Sequence, residues 1–558
     1  MVESSRVALL KMSLTTAIFG IELAFCLNAT FVWDMLVAFD IIFVGFYTGL
    51  YKIGLVIALI IFLAVRHSQL FGSNFPRTFR RMIQWSPIGL PLIAIYVYGF
   101  MALTQGICGC DFSEDIPGLV VNSSGMNLST AWMRHYTDKN ICPANVTPCY
   151  VYATLPENAL NEVFINFHVN LAACKKEVCH PTFKYAEGKV DNKHNDFFDW
   201  EEAEVIKADY ETPATEYSRR GVYSVILKNL NASSDYSFVV TDSDWDNSNA
   251  QIYTYHTFDT SNMTIAAGGD IGNSKLAHEM MDNTISKFPV DLIMVGGDIA
   301  YDQNSPHCFR AYDYLMQSFP VSLLDENTKT IRIVPVLFST GNHDLGATSF
   351  TPVEIKHTPH EPLFKHFYPQ NTANGKIPNL FEREYYFSQS IGDDVLILNL
   401  DTAYAGPMKG EQTEWIKEQL SNSKHKIKLA QFHGPIYTAC VQDKVGDFRV
   451  QDDGLEAWVP LFDEYNMTIV FENHSHVFKR SKLIKHGVED SQGTLYLGEG
   501  SWGVASDIKD CVRQNEELME TVMGVASAWI VNIDVNKGID SQAFDNMGMM
   551  IDRYYLPL

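Results

Sequence analysis

Apolar residues are concentrated in the first hundred positions of the chain, where two long apolar runs are followed by a shorter third one. A helix needs about 20 apolar residues to cross a bilayer, so this pattern predicts membrane spans. The predicted spans lie near 12–33, 41–65 and 86–104. We therefore expect a transmembrane region of about three helices over 1–106, and a mixed polar linker over 107–141.

Basic residues give the expected orientation of these spans. Arg66, Arg77, Arg80 and Arg81 lie between the second and third apolar runs, and positive residues stay on the cytoplasmic side. An odd number of spans then places the rest of the chain outside the cytosol. A cleaved signal peptide is the alternative for the first run, but its apolar core is longer than the 7–15 residues usual in such peptides.

Short alternating segments follow the linker. NEVFINFHV, GVYSVILKNL, DYSFVVTDS and AQIYTYHTFD alternate with period two and are bounded by Asn, Asp, Ser and Gly. This pattern predicts an antiparallel β-sandwich over 142–260. The piece VILKNLNASSDYSFVV resembles a strand–turn–strand of a fibronectin type III-like module, and an unrelated β-domain is the alternative.

Buried strands separated by helical segments begin near residue 263. MTIAAGGD and DLIMVGGD read as buried strands, and SKLAHEMMDNTISKF between them has helical spacing. Further strands are predicted in IRIVPVLFST, DVLILNLD, KIKLAQFH, MTIVFENH and TLYLGEG, and EQTEWIKEQL reads as a helix. The region 261–558 is therefore predicted to be an α/β layered domain.

The formal net charge of -24 narrows the choice of partners. Nucleic acid is not expected, because a phosphate backbone needs a basic protein face. A smaller anionic substrate would need local positive charge, which bound metal ions can provide.

Sequons and cysteines agree with a location outside the cytosol. Sequons occur at Asn122, Asn127, Asn145, Asn231, Asn262 and Asn466. The close cysteine pairs are Cys108/Cys110, Cys142/Cys149 and Cys174/Cys179, and in an oxidising compartment such pairs read as disulfides. Among the cysteines after residue 105, Cys308, Cys440 and Cys511 remain, and their connectivity stays open. Asn473-His-Ser is formally a sequon too, but a glycan there would block the crevice proposed below.

Potential metal ligands stand where the predicted strands end. The ends of strands meet at one edge of an α/β sheet, so these side chains are expected in one crevice. They are Asp270, Asp298, Tyr301, Asn342, His433, His474 and His476. Each alone has a simpler explanation, such as a helix cap or a tight turn. Together they overfill one metal but suit two metals that share a carboxylate, with Asp298 as the bridge.

Five sequence blocks with this order resemble those of the calcineurin-like metallophosphoesterases, and among them the purple acid phosphatases. The blocks are Asp270-Ile-Gly272, Gly297-Asp298-Ile-Ala-Tyr301, Gly341-Asn342-His343-Asp344, the segment ending at His433, and Asn473-His474-Ser-His476. Tyr301 is diagnostic, since other branches of the superfamily lack it. A preceding β-sandwich is similar to the larger, plant-like members. The resemblance covers 142–558 and implies a β-sheet sandwich flanked by helices for the catalytic domain.

The resemblance also implies a ligand set. Fe(III) would be held by Asp270, Tyr301 and His476, and a divalent ion, Fe(II), Zn(II) or Mn(II), by Asn342, His433 and His474. Asp298 would bridge the two ions. The residues expected to be catalytic are Asp298 and His343. Charge transfer from the Tyr301 phenolate to iron(III) would colour the protein purple.

The implied function is a membrane-anchored acid phosphatase that hydrolyses phosphate monoesters with a metal-bound hydroxide as nucleophile. The alternatives are a phosphodiesterase or nucleotide pyrophosphatase on the same site, or a non-catalytic subunit of a membrane complex or an adhesion protein. The catalytic domain is expected outside the cell or in the lumen of the secretory or lysosomal system. The sequence departs from the family at Asn473, where a glycine is usual, and at Gln442 and Asp443, where larger members place histidines.

Overall fold

The computed structural model describes residues 142–558 apart from 143, 191–198, 208–219, 273, 303–310, 313–314, 317–321, 325–328, 346–361, 372–374, 442–445 and 510. Several predictions concern residues outside the described range and stay predictions. They are the membrane spans, the linker, the Cys108/Cys110 pair and the sequons at Asn122 and Asn127. Within the described part of the chain, no helix is both long enough and apolar enough to cross a membrane.

The first described region consists mainly of antiparallel strands, as its alternating pattern predicts. Its strands are β1 (Tyr150–Thr154), β2 (Val163–Asn170), β3 (Thr182–Glu187), β4 (Glu201–Ala203), β5 (Ile206–Lys207), β6 (Arg220–Leu227), β7 (Asp235–Thr241) and β8 (Ile252–His256). The four alternating segments predicted as strands correspond to β2, β6, β7 and β8. Their β-branched and aromatic side chains suit a pleated, half-buried surface.

The second region interleaves strands with helices. Its strands up to residue 441 are β9 (Asn262–Gly268), β10 (Leu292–Val295), β11 (Ser322–Leu324), β12 (Ile331–Ile333), β13 (Pro335–Phe338), β14 (Phe387–Ile391), β15 (Val395–Asn399), β16 (Ile427–Gln431) and β17 (Cys440–Val441). The remaining strands are β18 (Ile469–Glu472), β19 (Phe478–Lys485), β20 (Val488–Glu489), β21 (Thr494–Gly498), β22 (Val512–Arg513), β23 (Met519–Met523), β24 (Ser527–Asp534), β25 (Gly538–Asp545) and β26 (Met550–Pro557).

Helices of this region pack outside the strands. They include α1 (Lys275–Asn283), α2 (Leu363–Phe367), α3 (Glu411–Asn422), α4 (Gly446–Ala457) and α5 (Val459–Glu464). Helix α1 begins where Ser274 caps it, because the Ser274 hydroxyl accepts a hydrogen bond from the Ala277 amide at 3.1 Å. Both predicted helices are therefore confirmed, with α1 shorter than its predicted segment.

Two large sheets face each other in this region. One has the strand order β26-β25-β24-β9-β10-β13-β1-β2-β6-β5, and the other β14-β15-β16-β18-β21-β19-β20, with β23 paired to β19. Leu292 and Met294 of β10 lie in the core between the sheets with Leu429 of β16, whereas Ile293 of β10 packs on the side of Met280 in α1. The alternation of strand side chains thus gives the predicted β-sheet sandwich flanked by helices.

A third sheet, of order β11-β12-β8-β7-β3-β4, packs against the β1-β2-β6 part of the ten-stranded sheet. Both layers continue beyond the boundary predicted at residue 260. Strand β1 pairs in parallel with β13, and β8 pairs in parallel with β12. This shared architecture does not show a separate fibronectin III-like domain, which stays a prediction.

The predicted strand IRIVPVLFST is divided in the structure. Ile331–Ile333 pairs with β8 in the six-stranded sheet, while Pro335–Phe338 pairs with β10 and β1 in the ten-stranded sheet. Proline has no amide hydrogen to donate and is confined mainly to strand starts and edges, so Pro335 suits the start of a new strand. The single strand predicted here was wrong.

Disulfides confirm two of the predicted cysteine pairs. Cys142 bonds to Cys149, and Cys174 bonds to Cys179. A further disulfide joins Cys440 to Cys511, which the sequence left open. It lies beside the two-stranded ribbon of β17 and β22.

Candidate metal centre

Five strand ends from two sheets meet at the candidate site. Asp270, Asp298 and Asn342 follow β9, β10 and β13, which are parallel neighbours in the ten-stranded sheet. His433 and His474 follow β16 and β18, parallel neighbours in the eight-stranded sheet. The expected crevice is therefore built by the carboxyl ends of two facing sheets.

The backbone at five of these positions lies in the left-handed region of φ. The residues are Asp270 (φ 57°), Asp298 (51°), Tyr301 (52°), His474 (78°) and His476 (56°). This conformation is uncommon for residues other than glycine and costs of order 1–3 kcal/mol at each position. Its concentration here indicates that the fold sustains strain in order to aim these side chains.

Asp270, Tyr301 and His476 form one group of ligand atoms. The Tyr301 hydroxyl lies 3.3 Å from Asp270 Oδ1 and 3.2 Å from His476 Nε2. His476 Nε2 lies 3.1 Å from Asp270 Oδ1. A carboxylate, a phenol and an imidazole thus converge on one point.

Asn342, His433 and His474 form a second group. Asn342 Oδ1 lies 3.0 Å from His433 Nε2 and 3.1 Å from His474 Nδ1. The two imidazole nitrogens are 3.2 Å apart. The other nitrogen of each ring is already engaged: His433 Nδ1 donates to the Gly296 carbonyl at 2.9 Å, and His474 Nε2 lies 3.2 Å from Asp447 Oδ1.

Asp298 lies between the two groups. Its Oδ2 atom is 3.3 Å from His433 Nε2, and its Oδ1 accepts a hydrogen bond from the His343 amide at 2.8 Å. Asp298 is 1% exposed, and no described residue hydrogen-bonds to its Oδ2. Ligand atoms of Asp270, Asp298 and His433 all lie within 4.8 Å of one another.

The carboxylate of the third block, Asp344, fixes the backbone that carries Asp298. Asp344 accepts hydrogen bonds from the amides of Asp298, Ile299 and Gly341 at 2.8–2.9 Å. It is fully buried. The strained turn that presents Asp298 is held by these three contacts.

His343 occupies the outer side of the site. Its side chain is 22% exposed, and its Nε2 lies 3.8 Å from Asp298 Oδ2. Its ring lies 4.3 Å from the Tyr301 ring, centroid to centroid. His343 is thus placed to touch a molecule that enters from solvent.

Comparison with known proteins identifies the region that carries this site. Residues 263–478 match the family described as calcineurin-like phosphoesterase. The chain contains a calcineurin-like phosphoesterase domain. The matched residues include all seven predicted ligands.

Curated relatives of the phosphoesterase domain include two plant purple acid phosphatases from Arabidopsis thaliana. Purple acid phosphatase 15 is 24% identical over 287 residues, which cover 48% of this chain and 51% of that protein. Purple acid phosphatase 18 is 22% identical over 277 residues, covering 48% and 57%. The chain spans about half the length of these relatives. The matches support a metal-dependent phosphoesterase domain.

Solved structures show the same fold. Purple acid phosphatase PPD1 from yellow lupin (Lupinus luteus) seeds aligns with a TM-score of 0.56 and 13% identity, over 74% of each chain. A structure of PhoD aligns with a TM-score of 0.50 and 11% identity, over 72% of this chain and 91% of that one.

The donor set of the phosphoesterase domain fits bound cations. A neutral imidazole carries one ring proton, and in His433 and His474 that proton faces the Gly296 carbonyl and Asp447. When both rings are neutral, the lone pairs of His433 Nε2 and His474 Nδ1 point toward each other and toward Asn342 Oδ1. Burial lowers the pKa of His433, but the carboxylates of Asp298 and Asp270 outweigh it and raise the pKa to about 9. The group therefore attracts positive charge.

Sequence reasoning missed Asp447, which is fully buried on α4. It stands 14 positions after His433 and 27 before His474, and neither spacing is a metal-ligand signature. Gln442 and Asp443, noted as departures from the family, lie outside the described residues. Asn473 is 1% exposed and donates to the Phe432 carbonyl at 2.8 Å, which agrees with rejecting it as a glycan acceptor.

Proposed function

We propose that this chain is a membrane-anchored acid phosphatase of the purple acid phosphatase type, which hydrolyses phosphate monoesters. The proposal rests on one observation, the contact of the Tyr301 phenol with both Asp270 and His476. A phenol at this position distinguishes purple acid phosphatases within the superfamily that the sequence resembles. The two Arabidopsis relatives carry the same family name.

The proposed cofactor is a dinuclear centre. Asp270, Tyr301 and His476 would hold Fe(III), because hard oxygen donors suit a trivalent ion. Asn342, His433 and His474 would hold Fe(II), Zn(II) or Mn(II), and Asp298 would be shared. When bound, the two ions would supply the positive charge that binds and activates a phosphate ester in this strongly acidic protein, and would lower the pKa of water.

The chain's own residues then have distinct roles. Asp298 and its support, Asp344, hold the centre of the site in place. His343 is partly exposed to solvent beside Tyr301, where it would donate a hydrogen bond to a phosphoryl oxygen or a proton to the leaving oxygen.

The location of the domain is also proposed. The apolar runs of residues 1–106 would anchor the chain as a multi-pass protein, with the catalytic domain outside the cytosol. Disulfides among the described residues support an oxidising compartment. Asn145, Asn231, Asn262 and Asn466 are all exposed, which suits glycan acceptors.

The function is tested with Asp298→Asn in the full-length chain. We expect the variant to lose bound metal, because it removes the charge shared by both ligand groups. Hydrolysis of p-nitrophenyl phosphate should fall by at least about a hundredfold, since even outer-shell partners of a metal are worth about 10–100-fold. Metal content, the visible absorption band and turnover at acidic pH are measured on the same preparation.

Asp282→Asn is the matched control, because Asp282 is exposed on α1. Full metal content and full activity in Asp298→Asn would contradict the assignment. A wild-type chain that prefers bis(p-nitrophenyl) phosphate would favour a phosphodiesterase. A wild-type chain that binds no metal would favour a non-catalytic subunit or adhesion protein.

A further inference from the structure

The two imidazoles of the second ligand group are fixed by different partners. His433 Nδ1 donates to a backbone carbonyl, that of Gly296, at 2.9 Å. His474 Nε2 lies 3.2 Å from a carboxylate oxygen, Asp447 Oδ1. A carboxylate behind a ligating imidazole orients the ring, selects its tautomer and raises the basicity of the ligand nitrogen.

Asp447 is held rigidly on α4. Its side chain is fully buried and lies in the first turn of this helix, where the helix dipole stabilises negative charge. Further along α4, a side chain on Gly454 would overlap the Ile436 side chain, so the helix backbone packs directly against that side chain in the segment after His433. This packing fixes the position of Asp447 relative to the site.

His474 needs such a constraint. Its backbone lies at φ 78°, a conformation that disfavours a residue with a side chain. The His474 amide donates to Asp270 Oδ2 at 2.9 Å, which holds the backbone. Asp447 holds the other end of the residue, the far nitrogen of the ring.

We propose that Asp447 is a positioning residue for the divalent metal ligand His474. It holds Nε2–H so that the Nδ1 lone pair faces Asn342 and His433. The inference rests on the proposed function, because it takes Asn342, His433 and His474 as the ligands of the divalent ion. It predicts that the affinity for the divalent ion depends on Asp447. Binding of iron by Asp270, Tyr301 and His476 should not depend on it.

The test is a zinc titration of the full-length chain in zinc buffers, with iron content and the visible band recorded in parallel. In Asp447→Ala, the free zinc concentration at half occupancy should rise by about 10–100-fold, while iron and the visible band are retained. Asp447→Asn keeps an acceptor for Nε2–H but loses the charge, so its shift should be smaller. Asp452→Ala, an exposed aspartate on the same helix, should titrate like the wild type.

The outcomes separate this inference from the proposed function. Wild-type zinc affinity in Asp447→Ala, with iron retained, overturns the positioning role and leaves the phosphatase proposal standing. If Asp447→Ala does not fold, the Asp447→Asn variant decides, and an unshifted titration there rejects the role. A wild-type chain that takes up neither iron nor zinc overturns the proposed function and this inference with it.

Discussion

Glycine at position 500 lies against two of the proposed ligands. Its backbone has φ 71°, and a β-carbon there would overlap Asp270 Oδ2 and lie 2.5 Å from the His474 amide nitrogen. The absence of a side chain at this position is what allows the amide of His474 to reach the carboxylate of Asp270.

Gly500→Ala should therefore displace Asp270 or His474. We expect lost metal and a lower thermal midpoint, because the neighbours are a ligand carboxylate and backbone rather than a flexible side-chain tip. Gly487→Ala is the control: its φ is 74°, but no described atom lies within 4 Å of the new β-carbon. In the control, stability should fall only by the cost of placing a residue with a side chain in the left-handed conformation, about 1–2 kcal/mol. Equal metal content in the two variants would refute this reading of Gly500.

Glycines of the motifs show how far residue-level prediction reaches. Glycines 268, 269, 272, 296, 297 and 341 lie in or beside the sequence blocks, where a glycine permits a sharp backbone turn. Only Gly272 and Gly297 of these have positive φ. Gly269 and Gly296 instead leave room for Asn473, and Gly341 leaves room for Asp298. Such close approaches join segments far apart in sequence, so local pattern cannot reveal them.

At the scale of elements, a buried ionic cluster ties together the segments behind the site. Lys479 at the start of β19 lies 2.5 Å from Glu472 of β18 and 3.6 Å from Glu499, which follows β21. Glu472 also accepts hydrogen bonds from the amides of Ile436 and Tyr437, in the segment after His433. All three charged side chains are fully buried. The cluster thereby connects the strand ends that carry His433, His474 and His476.

Glu499 gives this cluster a pH dependence. Burial is the largest cause that raises its pKa, from 4.5 to about 7, although Lys479 opposes it. Between these two pH values the folded chain keeps a proton that the unfolded chain releases, so this residue's contribution to stability falls as pH rises. In Glu499→Gln that titration is absent. The unfolding free energy of the variant relative to wild type should therefore increase from about pH 4.5 to 7, by on the order of 1–3 kcal/mol.

Urea unfolding of the full-length chain at several pH values measures this difference. Ser421→Ala, an exposed position on α3 that changes no titratable group, is the control and should show a difference that does not change with pH. A constant difference in Glu499→Gln as well would show that Glu499 is ionised throughout the range in the folded chain.

Elements themselves were largely predictable, because alternation and helical spacing are local properties. The predicted strands before four of the ligands occur where their patterns indicate, namely those before Asp270, Asp298, His433 and His474. The helices α1 and α3 also occur where predicted. The split of 331–340 was not predicted, because each half takes a different sheet partner. Pairings such as β1 with β13 join residues more than 180 positions apart and leave no local trace.

At the scale of the whole molecule, the same limit explains why the sequence placed a domain boundary at residue 260. The change from alternating strands to buried strands with helices is real, but hydrogen bonds cross it in two sheets. Convergence of the seven proposed ligands was predictable, since each follows a buried strand. The contribution of Asp447 was not predictable, because Asp447 lies on α4, and the position of that helix depends on tertiary packing.

The Cys440–Cys511 disulfide is the longest-range covalent constraint among the described residues, with a separation of 71. Its loop contains α4, α5 and β18, the strand that precedes the ligands His474 and His476, so it restricts a large part of the unfolded chain. Chain entropy predicts that Cys440→Ala/Cys511→Ala lowers the unfolding free energy by about 4 kcal/mol. Cys174→Ala/Cys179→Ala, which opens a loop of separation 5, should cost only about 2 kcal/mol. Urea unfolding of both variants compares the two, and equal losses would show that native-state packing, rather than loop length, sets the stabilisation.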